Sequence, residues 1–89
     1  MERKRIIYQG RVQGVGFRYT TVHAASNHEI TGYVKNLPDG SVEVVAEGAP
    51  DAIASFLRDI ENRMNRYIHD KTVYEEPPQG DFKGFHVRF

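Results

Sequence analysis

The run Gly10-Arg11-Val12-Gln13-Gly14-Val15-Gly16-Phe17-Arg18 places three glycines and two arginines in nine residues. It follows an apolar, strand-like segment and precedes a helical one. Glycine lets a backbone turn tightly and approach a ligand closely. Consecutive exposed N–H groups form an anion-binding concavity. The helix that follows points its positive N-terminal end at the same place. Arg18 adds a planar, permanently charged fork that fits phosphate oxygens. The unit reads as an oxyanion cradle suited to phosphate, although Gly-rich strand–helix loops also occur with no ligand. No Gly-Lys-Ser/Thr follows, so it is not a Walker loop. Gly14-Val15-Gly16 lacks the third glycine of a dinucleotide fingerprint.

Composition narrows the partners. Lys+Arg and Asp+Glu are equal at 12 each, and the pI is near 6.9. A dedicated nucleic-acid binder or polybasic membrane anchor carries a basic excess. No apolar run approaches transmembrane length, and no charged leader precedes an apolar signal core. There is no cysteine, hence no disulfide, thiolate nucleophile or Cys metal ligand. The expectation is one domain over residues 1–89, monomeric and cytoplasmic, with no nucleic-acid or membrane partner.

Periodicity supplies the elements. Arg5 to Val12 alternates, with Ile6, Tyr8 and Val12 on one side. Phe17 to Glu29 reads as a helix, with Val22, Ala25 and Tyr19 or Ser26 inward. Ile30 to Asn36 is a second strand. Leu37-Pro38-Asp39-Gly40 carries turn chemistry. In a third strand, Ser41 to Glu47, Val42, Val44 and Ala46 oppose Glu43 and Glu47. Pro50 opens a second helix at a tolerated position, with Ile53, Phe56, Leu57, Ile60 and Met64 as its buried stripe. Tyr67 to Glu76 is a fourth strand, broken by Pro77-Pro78. Gly84 to Phe89 closes the chain as a short strand. The order predicts an α+β, ferredoxin-like split βαβ sandwich: βαββαβ plus a short C-terminal strand. Two helices cover one face of an antiparallel sheet and leave the other partly wet.

The first run resembles the signature loop of the acylphosphatase family. A second family signature follows at the expected distance: Gly32-Tyr33-Val34-Lys35-Asn36, then Gly40, Val42 and Gly48. The resemblance implies metal-independent hydrolysis of a small acyl phosphate to a carboxylate and inorganic phosphate, with no cofactor. It implies that Arg18 binds the phosphate, with the N–H groups of Gly14, Val15, Gly16, Phe17 and Arg18 completing the cradle. It implies that Asn36 holds the attacking water. An amide suits that task, because its C=O accepts from water while its NH₂ donates to phosphate. Without the resemblance, Asn36 reads as a strand-end and turn residue and Arg18 as a surface arginine.

Other chemistry-bearing residues read as structural. Gln13 braces the loop through its amide, and Arg11 is a solvated strand residue. Lys35 faces solvent. His23, His28, His69 and His86 share no metal-ligand spacing. Glu75-Glu76 is a solvated strand end. Phe82, Phe85 and Phe89 are core and edge packing, because the third strand lacks the Gly-Phe signature of an RNA-binding sheet.

The chain departs from the family pattern in four places. Tyr8 replaces an aliphatic residue, and Thr20 stands where an aromatic is frequent. His28-Glu29 occupies a position that often holds glycine, which would supply an easy left-handed cap. Glu61-Asn62-Arg63-Met64-Asn65-Arg66-Tyr67 replaces a Gly-Pro loop, and either extends the second helix or rebuilds the connection. Other readings keep the same scaffold. A non-catalytic anion-binding or regulatory module would retain the cradle without turnover. A larger carbamoyl-transfer enzyme of hydrogenase maturation has an N-terminal domain that resembles this family, and 89 residues hold only such a fragment.

Overall fold

Alternating apolar residues make β1 (Glu2–Gly10) an interior strand of the sheet in the computed structural model, which describes residues 1–89. Ile6 and Tyr8 are fully buried on one face of the strand. The strand ends two residues before the expected Val12. Its ladder with the fourth strand shifts register at Gln9/Gly10, and the N–H of Arg11 leaves the ladder for the Tyr67 carbonyl at 2.9 Å. Val12 is still buried.

The elements continue as α1 (Phe17–Ala25), β2 (Ile30–Asn36), β3 (Val42–Gly48), α2 (Pro50–Arg63), β4 (Ile68–Glu76) and β5 (Phe85–Val87). The strand order is β4-β1-β3-β2-β5. β1 pairs antiparallel with β3 and β4, and β2 antiparallel with β3. β5 runs parallel to β2, with Gly32 opposite Phe85 and Val34 opposite Val87. The sheet is therefore mixed, not antiparallel throughout. A chain that crosses from one edge to the other before adding its last strand arrives in the same direction as β2.

α2 has the expected start and stripe. Pro50 stands at its first turn, where a missing N–H is harmless. Ile53, Phe56, Leu57, Ile60 and Met64 are all buried. α1 differs from expectation. It stops at Ala25, four residues before Glu29, and buries Phe17, Thr21, Ala24 and Ala25. Val22 is only partly buried, Ser26 is exposed, and Tyr19 is 77 % exposed. Thr21 tolerates burial because its hydroxyl donates to the Phe17 carbonyl at 2.8 Å. The chain leaves α1 through bonds from Asn27 N–H to Ala24 and His28 N–H to Ala25, with no left-handed residue at Glu29. The segment that replaces the Gly-Pro loop does both things expected of it. Glu61–Arg63 extends α2, and a turn in which the Tyr67 N–H meets the Met64 carbonyl at 3.0 Å rebuilds the connection.

The face opposite the helices is not simply wet. Residues 77–84 cross it as a strap between β4 and β5. The Glu47 carboxylate accepts N–H bonds from Gln79 at 3.0 Å and Gly80 at 2.6 Å. Arg3 lies 3.3 Å from Glu47 and 3.3 Å from Asp81, and its guanidinium covers the Phe82 ring at 4.3 Å. The Arg3 and Glu47 side chains are 8 % and 1 % exposed. Phe82 therefore packs on the outer face, edge-on to Tyr33, while Phe85 packs inward against Phe56. Phe89 joins neither layer. It lies beyond the three-residue β5 and is 93 % exposed.

Candidate active site

Between β1 and α1 the chain turns through Gly14 and Gly16, with φ of 76° and 80°. Both values lie in the left-handed region that glycine enters without penalty. Gly16 is also the residue immediately before α1. The N–H groups of Gly14, Val15, Gly16, Phe17 and Arg18 donate to no protein acceptor. Helix starts leave such donors free, and here the loop amides extend the series. Arg18, in the first turn of α1, forms no ion pair or hydrogen bond with the protein. Its guanidinium carbon lies 5.4 Å from the centre of the Phe89 ring. The result is a row of backbone donors beside an uncommitted cation.

Asn36 ends β2 on the adjoining part of the sheet. Its Oδ1 is buried and has no hydrogen-bond partner. Buried acceptors are normally satisfied, so this atom retains an unused capacity to accept a hydrogen bond. The turn beyond Asn36 is firmly built. Leu37 N–H meets the Ser41 carbonyl at 2.9 Å, and Gly40 N–H meets the Leu37 carbonyl at 3.1 Å. The Asp39 carboxylate accepts from the Ser41 hydroxyl at 2.6 Å and the Ser41 N–H at 2.9 Å. Those two bonds, the hydroxyl's first, hold the Asp39 carboxyl below its ordinary range.

Gln13 joins the two parts. Its Nε2 donates to the Leu37 carbonyl at 2.8 Å and the Ser41 carbonyl at 2.9 Å. The loop that carries Gly14–Arg18 is thereby tied to the residue next to Asn36. β5 makes a second tie. It runs beside β2, Arg88 N–H bonds the Val34 carbonyl at 2.9 Å, and Phe89 continues toward the Asn36 end with its ring against Arg18. The brace expected of Gln13 is present. The place of Phe89 beside Arg18 was not anticipated, because a lone aromatic after a three-residue strand carries no pattern of its own. Arg11 is exposed. No three His, Asp or Glu side chains gather into a cluster.

A family model described as Acylphosphatase matches residues 4–87. An acylphosphatase of Methanospirillum hungatei is 46 % identical over 74 residues, covering 83 % of this chain and 81 % of that protein. The crystal structure of acylphosphatase from Bacillus subtilis superposes with a TM-score of 0.89 at 36 % identity, covering 100 % of both chains. T. kodakarensis HypF superposes with a TM-score of 0.85 at 36 % identity, but the match covers 100 % of this chain and only 12 % of that one. On the family match and the near-complete coverage of both the relative and the solved structure, the chain belongs to the acylphosphatase family.

Proposed function

We propose that this chain hydrolyses acyl phosphates, with the Gly14–Arg18 amides and the Arg18 guanidinium holding the phosphate and Asn36 orienting the attacking water. The observation that carries the reading is the row of N–H groups without protein acceptors beside an Arg18 that has no anionic partner. Family membership supports the reaction class. The water oxygen attacks phosphorus, and the bond from phosphorus to the acyl oxygen breaks. The carboxylate leaves with the electron pair. The water proton passes to a phosphate oxygen, since neither signature segment holds a carboxylate or imidazole base. A carboxylic acid has a pKa near 4, so the leaving group needs no general acid. A loose phosphoryl-transfer transition state asks mainly for charge stabilisation and alignment. The fixed donors and Arg18 supply the first, and Asn36 the second. No step draws on a metal or cofactor.

A monomer suits a chain whose long apolar stripes are all assigned to its own core, and the cysteine-free composition suits the cytoplasm. The test is phosphate release from a synthetic acyl phosphate, with and without EDTA, against a phosphate monoester. Rapid, chelator-insensitive release from the acyl phosphate alone is expected. Phosphate binding without release would leave a non-catalytic anion-binding module instead.

A further inference from the structure

We infer that Tyr8 is a positioning residue for the phosphate cradle, anchored by Glu61 of α2 and supporting Phe17 from beneath. Tyr8 is fully buried on the helix-facing side of β1. Its hydroxyl donates to Glu61 Oε2 at 2.8 Å. The same oxygen accepts from Lys71 Nζ of β4 at 2.9 Å. The Tyr8 ring meets the Phe17 ring at 5.4 Å, tilted by 47°. Phe17 is itself buried and stands between Gly16 and Arg18. A displacement of the Tyr8 ring is therefore passed directly to the residue whose N–H, and whose neighbour's guanidinium, face the phosphate.

The anchor lies at the margin of the packed core. An open cleft of about 160 Å³ lies at Tyr8, Glu61, Asn65, Ile68 and Lys71, so the Tyr8 hydroxyl meets a polar pair beside that cleft and not further apolar side chains. The hydrogen bond to Glu61 fills the restraining role that side chains play elsewhere. Burial, and then the adjacent Glu61 carboxylate, push the Tyr8 phenol pKa up, so it stays a donor. The same stretch of chain grips the loop at a second point. The Tyr67 carbonyl accepts the Arg11 N–H, and it lies so near Gly10 that a Cβ there would come within 2.3 Å of the oxygen. The segment at 61–68 thus holds the cradle loop at its entry through Arg11 and at its exit through Tyr8 and Phe17. Tyr8 and the Glu61–Tyr67 segment, two separate departures from the family pattern, form one mutually adjusted unit.

This inference rests on the proposed phosphate cradle, and its test separates the two. Tyr8→Phe keeps the ring and removes the hydroxyl. Glu61→Ala removes the acceptor from the other end. The readout is the inhibition constant of inorganic phosphate, taken with kcat and KM well below the melting temperature of each variant. Both variants should weaken phosphate inhibition on the order of 10-fold, the effect of a displacement of an ångström or less in a positioning group. The double variant should be no weaker than either single one, because both cut the same link. Arg18→Ala is the reference in the same assay. If Arg18→Ala loses phosphate inhibition while Tyr8→Phe and Glu61→Ala retain it at the wild-type level, Tyr8 is packing alone and the inference is overturned. If Arg18→Ala also binds phosphate as wild type, the cradle reading fails and this inference falls with it.

Discussion

The side-chain amide of Gln13 donates to the main-chain carbonyl of Leu37 at 2.8 Å, joining the cradle loop to the residue that follows Asn36. A second bond from the same nitrogen to Ser41, at 2.9 Å, secures the far side of the turn. One side chain that does no chemistry thus helps to set the relative placement of Arg18 and Asn36.

Replacing Gln13 tests that coupling. Gln13→Ala removes both donors and leaves the Leu37 and Ser41 carbonyls with weaker satisfaction, a loss of about 1–3 kcal/mol. Gln13→Glu is a sharper probe. At neutral pH it sets a carboxylate, which only accepts, against two carbonyls. The account predicts lower kcat for both variants, and partial recovery of Gln13→Glu as acidification restores a donor. Stopped assays across pH on folded protein decide it. Wild-type kcat in Gln13→Ala would remove the coupling.

On the outer face, Glu47 binds the strap through Gln79 and Gly80 and sits beside a nearly buried Arg3. Breaking a buried pair from one side costs about 3–5 kcal/mol. Glu47→Ala should lower the melting temperature by about 4–8 °C for each kcal/mol lost. Hydrolysis by the fraction that remains folded should be unchanged, because the strap lies across the sheet from the helices. Thermal melts and assays at low temperature check both halves. An unchanged melting temperature would mean that the strap adds nothing to stability.

Asp39 gives the β2–β3 turn an acid dependence. The Ser41 hydroxyl and N–H hold its folded pKa below the ordinary 3.8. The folded state then binds fewer protons than the unfolded one. The stabilisation is present in full above the ordinary value and is lost as pH falls through the folded one. Asp39→Asn keeps the shape of the turn and cannot titrate. Its melting temperature should fall less steeply than that of the wild type below pH 3.8. Parallel slopes in melts taken at descending pH would assign the acid sensitivity to other carboxylates.

Some of this architecture was legible from local pattern, and some was not. The α2 stripe and the β3 alternation are strong because large aliphatic and aromatic residues recur at one period. Beyond Phe17 the inward face of α1 is made of Thr21, Ala24 and Ala25, small or polar groups that give a weak signal, so Ala25 is read correctly as inward while Thr21, Ala24 and the end of the helix are not. Glu47 alternated like a solvated residue because its partners, Arg3 and Gly80, lie far away in the chain. No local pattern reports such a pair. Gly14, Gly16 and Arg18 stand out because turn chemistry and charge are written in residue identity, whereas Asn36 is singled out only by the resemblance of the second signature. The link from Tyr8 to Glu61 and the contact of Phe89 with Arg18 depend on where α2 and β5 settle, which only the assembled sheet specifies.

The division of labour between Arg18 and Asn36 is the central claim, and paired measurements of kcat and phosphate inhibition on two variants test it. Arg18 belongs to the row of free donors, whereas Asn36 offers a lone buried acceptor from a separate strand. Arg18→Ala should lose at least ~10²-fold in kcat and weaken phosphate inhibition as well. Arg18→Lys should restore little, because an ammonium lacks the planar fork. Asn36→Ala should lose kcat strongly and retain phosphate inhibition near wild type, the pattern of an interaction made mainly in the transition state. Circular dichroism and melts establish first that both variants fold. If Asn36→Ala instead loses phosphate inhibition as severely as Arg18→Ala and keeps its kcat, Asn36 binds phosphate and orients no water.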